Sequence, residues 1–280
     1  MNKKTKSISW IVGRILLYGS LLVGTVLMLL PFAWMLSSSF KAQRDVFTFP
    51  IQWIPRTFLW RNYLEIWTAI PLLRYFLNTV KLTLIVMVLQ TITSSFAAYA
   101  FAKLKFRGRN QLFLLYIMTI AIPWQVYMVP QYIMMSYLRL SNTHLGLILM
   151  HTFTAFGVFM MRQFYMGIPN ELVEAARIDG LSEYGIWLRV MLPLSKPAIA
   201  TMCITSFVME WNDFMGPLIY LSDDKLKTLQ LGIRMFIGQY SSDYQLIMAA
   251  SILSLIPVFI MYVSFQKYFV EGVATSGLKG

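Results

Sequence analysis

Charge is what this sequence has least of. Asp, Glu, Lys and Arg together make up 13% of its 280 residues, about half the ~25% of ordinary soluble domains. So small a share excludes a disordered chain and an ordinary soluble enzyme. Cysteine is limited to Cys203, so no disulfide can close within the chain and a secreted disulfide scaffold is excluded. The two histidines, His144 and His151, cannot furnish a zinc site alone. No H-E-x-x-H, G-x-S-x-G or G-x-x-x-x-G-K-[ST] run occurs, which removes the zinc-protease, α/β-hydrolase and P-loop machineries. If ATP drives this protein, another polypeptide holds it.

Apolar surface is abundant. Hydrophobic residues reach 58%, with 19 Met, 20 Phe and 8 Trp, a composition suited to lipid. A membrane-crossing helix needs about 20 mostly apolar residues. Six stretches qualify: residues 11–36, 76–102, 112–135 (broken by Pro123 and Pro130), 145–165, 198–221 and 244–268. The expected fold is all-α, a polytopic membrane protein with six transmembrane helices, read as one domain over residues 1–280. Lys3, Lys4 and Lys6 precede an apolar run, as in a signal peptide. That run exceeds a 7–15-residue signal core and no A-x-A site follows, so a retained first helix is expected.

The net charge of +12 would suggest nucleic acid in a soluble protein. Here it should follow membrane topology, and no nucleic-acid partner is expected. Lys103, Lys105, Arg107 and Arg109 crowd one short loop, and Arg162, Arg177, Arg189 and Lys196 fall in or beside another. With the N-terminus and tail, fourteen Lys and Arg lie on one side of the membrane and ten on the other. The positive-inside rule then puts both termini in the cytoplasm. Ser94, Ala98 and Ala102 repeat at spacing four and put small residues on one helix face. Two readings of that face stand: internal helix packing and a subunit interface.

The sharpest local signal is the loop of residues 166–197. Asn170, after Pro169, suits a helix N-cap, and Glu171 follows where the dipole favours an anion. Leu172, Val173, Ala175 and Ala176 form an apolar, small-residue face, and Gly180 suits the residue that ends the helix. A helix over residues 171–179 is expected on the cytoplasmic side, with a second around 182–189 before Pro193 and Pro197. It could lie on lipid, with Glu174 paired to Arg177. The two small alanines with acidic Glu174 and Asp179 beside them fit a protein socket better.

Glu174-Ala175-Ala176, Asp179-Gly180 and Leu192-Pro193, with Pro197 after, resemble the EAA loop of permease subunits in bacterial ABC importers. Residues 98–110, 122–132, 210–221 and 266–280 resemble one branch, the second permease of maltose-type carbohydrate importers. The resemblance implies a permease fold with a cytoplasmic coupling helix, in the inner membrane. It implies a second permease, a dimer of ATP-binding cassette subunits and an external sugar-binding protein as partners. Glu174 would pair with an ATPase arginine, Ala175 and Ala176 would fill its groove, and Asp179 and Gly180 would complete the turn. Gly277 and Lys279, in the tail of residues 269–280, would reach between the ATPase chains, where simple fraying is the reading from the residues alone. ATP and Mg²⁺ belong to that partner, and this chain would bind no cofactor. Both Tyr184 and Trp187 offer themselves as the bulky aromatic between DG and LP.

Polar residues within spans usually face a cavity. Glu210, Trp211, Asn212 and Asp213 sit together near the end of the fifth span, ahead of Pro217, which can open the helix. Trp211 could stack on a sugar, with Asn212 and Asp213 bonding its hydroxyls. The other reading makes Trp211 an interface aromatic and the acids structural. Gln125 and Asn78 are further candidates for the substrate path. An ion-coupled secondary transporter using this acidic cluster is the alternative, although residues 1–140 and 141–280 show no convincing repeat.

Overall fold

A computed structural model of the chain describes residues 8–238 and 242–277. Among these the structure is helical, with one isolated β-bridge between Ile237 and Ser242. Three helices are long and apolar enough to cross a membrane alone, and three bent pairs pass the same test together. That inventory is compatible with six spans.

The chain divides into two compact units. One comprises residues 1–70 and 233–253. It begins with α1 (Ile8–Ser39), whose most apolar window has no buried residue. The amphipathic α2 (Arg61–Ala69) follows after an irregular segment. Asn62 pins the end of α1, its side-chain amide donating to the carbonyls of Ser39 at 2.8 Å and Lys41 at 2.9 Å. Phe40 gathers Phe58, Trp60 and Tyr63 around itself.

The second unit comprises residues 71–232 and 254–280. Its axis is α3 (Leu72–Lys103), 32 residues without Pro or Gly, so nothing in it forces a kink. The third expected span is two helices, α4 (Arg109–Met118) and α5 (Trp124–Tyr137), turned by 99° where Pro123 interrupts. Pro130 stays inside α5 and does not break it. The fourth is also two, α6 (His144–His151) and α7 (Ala155–Met166), bent by 41°. The break between them was not expected, since residues 152–154 hold neither Gly nor Pro. Thr143 and Thr154 restart the helices as N-caps, accepting from the backbone N–H of Gly146 and Gly157.

The loop segment gives α8 (Asn170–Ile178), α9 (Glu183–Ile186), a π-turn at Trp187–Met191 and α10 (Leu192–Leu194). The second loop helix therefore runs five residues beyond its expected end at 189, before an 83° bend into α11 (Lys196–Trp211). The fifth span parts after Trp211 and resumes as α12 (Met215–Tyr220), so the break precedes Pro217. Two further helices complete the chain, α13 (Leu229–Arg234) and α14 (Tyr244–Gly277).

α7 and α11 pack against α3, and the small residues decide how closely. Ser94 and Ala98 are fully buried. A Cβ at Gly157 of α7 would come within 2.5 Å of Ser94 Oγ and of Met202 Cε. Ser94 and Ala98 thus serve packing inside this unit; Ala102 is only half-buried.

Candidate functional site

The segment that the sequence marks for docking is built around α8, whose exposure pattern has two faces. Val173 and Ala176 turn inward, into a cluster with Tyr165, Ile186, Trp187 and Met191. Glu171, Leu172, Glu174, Ala175, Ile178 and Asp179 face out. Ala176 is 6% exposed, which corrects the pairing of two alanines on one socket: Ala175 alone is presented. Ile178 is 86% exposed and extends the outward face with an apolar side chain that the motif did not single out. Of the two aromatics, Trp187 is buried against Phe96 and Tyr184 is exposed.

Two straps tie α8 to the end of α3. At its start the expected cap is absent. Pro169 takes the N-cap position, and Asn170 Oδ1 instead accepts from Lys103 Nζ at 2.8 Å. The same ammonium donates to the Ile168 carbonyl at 2.6 Å. At its finish, Leu181 N–H bonds the Ala176 carbonyl and Gly180 N–H bonds the Arg177 carbonyl, both at 3.0 Å. This is a Schellman corner, with Gly180 at φ +81°. Arg177 does not pair with Glu174. It reaches Glu183, Nε to Oε1 at 2.7 Å and Nη2 to Oε2 at 3.2 Å. The Tyr99 hydroxyl of α3 donates to the same carboxylate. The hydrogen bonds from Arg177 hold the Glu183 carboxyl below the usual carboxylate range.

The polar group in the fifth span is arranged differently from expectation. Trp211 is 1% exposed, stacked on Phe207, edge-on to Phe76, and its indole N–H donates to the Ser254 carbonyl at 3.0 Å. Neither ring face is open to a sugar. Glu210 Oε2 lies 2.7 Å from His151 Nδ1. Gln90 bridges them, its amide nitrogen donating to the His151 carbonyl at 2.6 Å and to Glu210 Oε1 at 3.4 Å, while its oxygen accepts from Ser206. Gln90 and His151 were missed because they stand 120 and 59 residues from Glu210. Only the cost of unpaired polar groups in spans could have flagged them.

Asp213 Oδ1 accepts from Gly216 N–H at 3.1 Å and so caps α12. Asn212 is exposed, with its amide on the Val208 carbonyl at 2.8 Å. Gln125 is exposed. Asn78 is committed to structure, donating to the carbonyls of Lys225 and Lys227 at 2.9 Å each. Gly277 is the last described residue, and Lys279 lies outside the described residues. Among the described residues, no group of three His, Cys, Asp or Glu could hold a metal ion.

Comparison with known proteins gives this geometry a context. Residues 90–275 match the family described as "Binding-protein-dependent transport system inner membrane component". The arabinooligosaccharides transport system permease protein AraQ of Halalkalibacterium halodurans is 37% identical over 227 residues, 81% of each chain. The melibiose/raffinose/stachyose import permease protein MelC of Bacillus subtilis is 34% identical over 255 residues, 90% of this chain and 91% of that one. A chain in the crystal structure of a bacterial ABC transporter that imports the acidic polysaccharide alginate superposes with a TM-score of 0.83. It is 24% identical, covering 95% of this chain and 100% of that one.

Proposed function

Since the chain belongs to the family of binding-protein-dependent transport-system inner-membrane components, we propose that it is one of two pore-forming permeases of an ATP-driven di- or oligosaccharide importer. Members of this family work with a second permease, an ATPase and a substrate-binding protein. The chain itself is not an enzyme, and ATP hydrolysis lies on separate ATPase subunits. The sugar class is drawn from relatives whose names carry arabinooligosaccharides and melibiose, raffinose and stachyose. The ion-coupled alternative finds no support among the relatives.

The observation that carries the coupling role is the outward face of α8. Glu174 and Asp179 there offer carboxylates, Ala175 permits close approach, and Leu172 and Ile178 offer apolar surface. An ATPase cleft with an arginine opposite Glu174 and an apolar floor would fit it. Gly180 holds the corner, and Gly277 with Lys279 would extend contact from the tail. Residues 1–280 act as one permease domain, with α1 added to the core spans and both termini in the cytoplasm. ATP and Mg²⁺ stay on the partner. Asn212, Asp213 and Gln125 would border the substrate path.

A tagged pull-down from detergent-solubilised membrane tests this reading. Wild type should bring down the second permease and the ATPase. Glu174→Arg combined with Gly180→Pro should lose the ATPase and keep the permease. A wild-type chain that purifies alone as a homo-oligomer would overturn the proposal.

A further inference from the structure

Three helix breaks border one cavity. The turn ahead of Trp124, the gap after His151 and the gap between Trp211 and Met215 all meet a space of about 310 Å³. Such a volume falls at the low end of small-molecule sites, ~300–1,000 Å³. Irregular backbone at membrane depth is tolerated where it lines a polar cavity rather than lipid. Its wall combines the rings of Trp124 and Tyr127 with the polar side chains of Gln131, His151 and Asp213.

These polar groups are fixed before any ligand arrives. Trp124 Nε1 donates to Gln131 Oε1 at 2.8 Å, and the Tyr220 hydroxyl approaches the same oxygen at 3.4 Å. With its oxygen engaged, Gln131 keeps its two amide N–H groups for the cavity. His151 has Nδ1 on Glu210, which leaves Nε2 as the second polar atom of its ring. Asp213 has one oxygen on the Gly216 N–H, and its other oxygen lies where a Cβ at Gly216 would stand. Gln131 and His151 are thus each held through one atom and keep another for a partner, beside an indole pinned in place. A sugar ring offers the matching chemistry: an apolar C–H face to stack, and hydroxyls that both donate and accept.

We propose that this cavity is a sugar subsite carried by this chain. Trp124 takes the C–H face of one sugar unit, while Gln131, His151 and Asp213 take its hydroxyls. Tyr127, 43% exposed, closes the open flank. The proposal rests on the carbohydrate-import reading above and assigns the sugar to residues outside the Glu210–Trp211 pair.

The test is uptake of radiolabelled arabinotriose, raffinose, stachyose and maltotriose by cells holding the complete importer, with deletion of this chain as the blank. For whichever sugar depends on the chain, Trp124→Ala and Gln131→Ala should each raise KM about tenfold, the loss of one well-made contact. The ATPase should still co-purify with both variants, and Trp124→Phe should recover most of the affinity. Should Trp124→Ala fail to assemble, Gln131→Ala and Tyr127→Ala carry the test. Unchanged KM in the alanine variants overturns the subsite and leaves the import reading standing. If none of the four sugars depends on this chain, the carbohydrate reading falls and the subsite with it.

Discussion

Gly180 shows how one residue can hold the corner after α8 in shape. Its φ of +81° is costly for any residue with a Cβ, yet a Cβ there would meet nothing within 4 Å. The penalty for substitution is therefore backbone strain alone. Gly180→Ala should cost about 1–2 kcal/mol of local stability. Gly180→Asn should cost less, because Asn tolerates this region. Thermal retention of the co-purified ATPase, compared between the two variants, checks the order. The corner was legible because a glycine just after a short amphipathic run has few other uses. Trp211 was legible as part of a polar group but not as a buried ring, because Phe76 and Ser254 that enclose it come from other helices.

At the scale of elements, the packing of α7 on α3 depends on an absent side chain. Gly157→Leu would drive atoms into Ser94 and Met202, so overpacking of about 1–3 kcal/mol is expected. A lowered melting temperature of the solubilised chain would show it, and an unchanged one would mean that α7 shifts at no cost. The strap from Tyr99 through Glu183 to Arg177 carries a pH dependence. Glu183 titrates lower folded than unfolded, so its stabilisation is present above the unfolded value of ~4.3. It is lost as pH falls through the lower folded value. ATPase co-purification should stay flat from pH 8 to about 5 and decline only below about 4. Glu183→Gln should weaken it above about pH 5, by no more than the ~1 kcal/mol of a half-exposed pair, and match wild type where Glu183 is protonated. The long spans and the docking helix were readable from hydropathy, caps and the EAA-x-x-DG pattern. The breaks at residues 152–154 and 212–214 were not, since neither holds Gly or Pro, and the first is braced from α3 by Gln90 and Thr93 on the carbonyls of His151 and Thr152.

For the whole molecule, orientation is the property that follows from charge placement. In a Cys203→Ser background, Leu138→Cys should react with a membrane-impermeant maleimide in intact cells. Lys105→Cys should react only after permeabilisation. The reverse pattern would overturn the assignment of both termini to the cytoplasm. A helix inventory compatible with six spans was readable from composition. Of their bends only the one at Pro123 was, because the others carry no Gly or Pro at the break and depend on the helices around them.

The unbroken length of α3 has a mechanical consequence. At ~1.5 Å per residue its 32 residues make a beam about 48 Å long. Near one end Tyr99 and Lys103 grip the docking segment, and near the other Asn78 grips the loop at Lys225 and Lys227. A rigid beam of that length rotated by ~5° about one end carries the other about 4 Å. Any movement of α8 would therefore reach the opposite end of α3 as leverage.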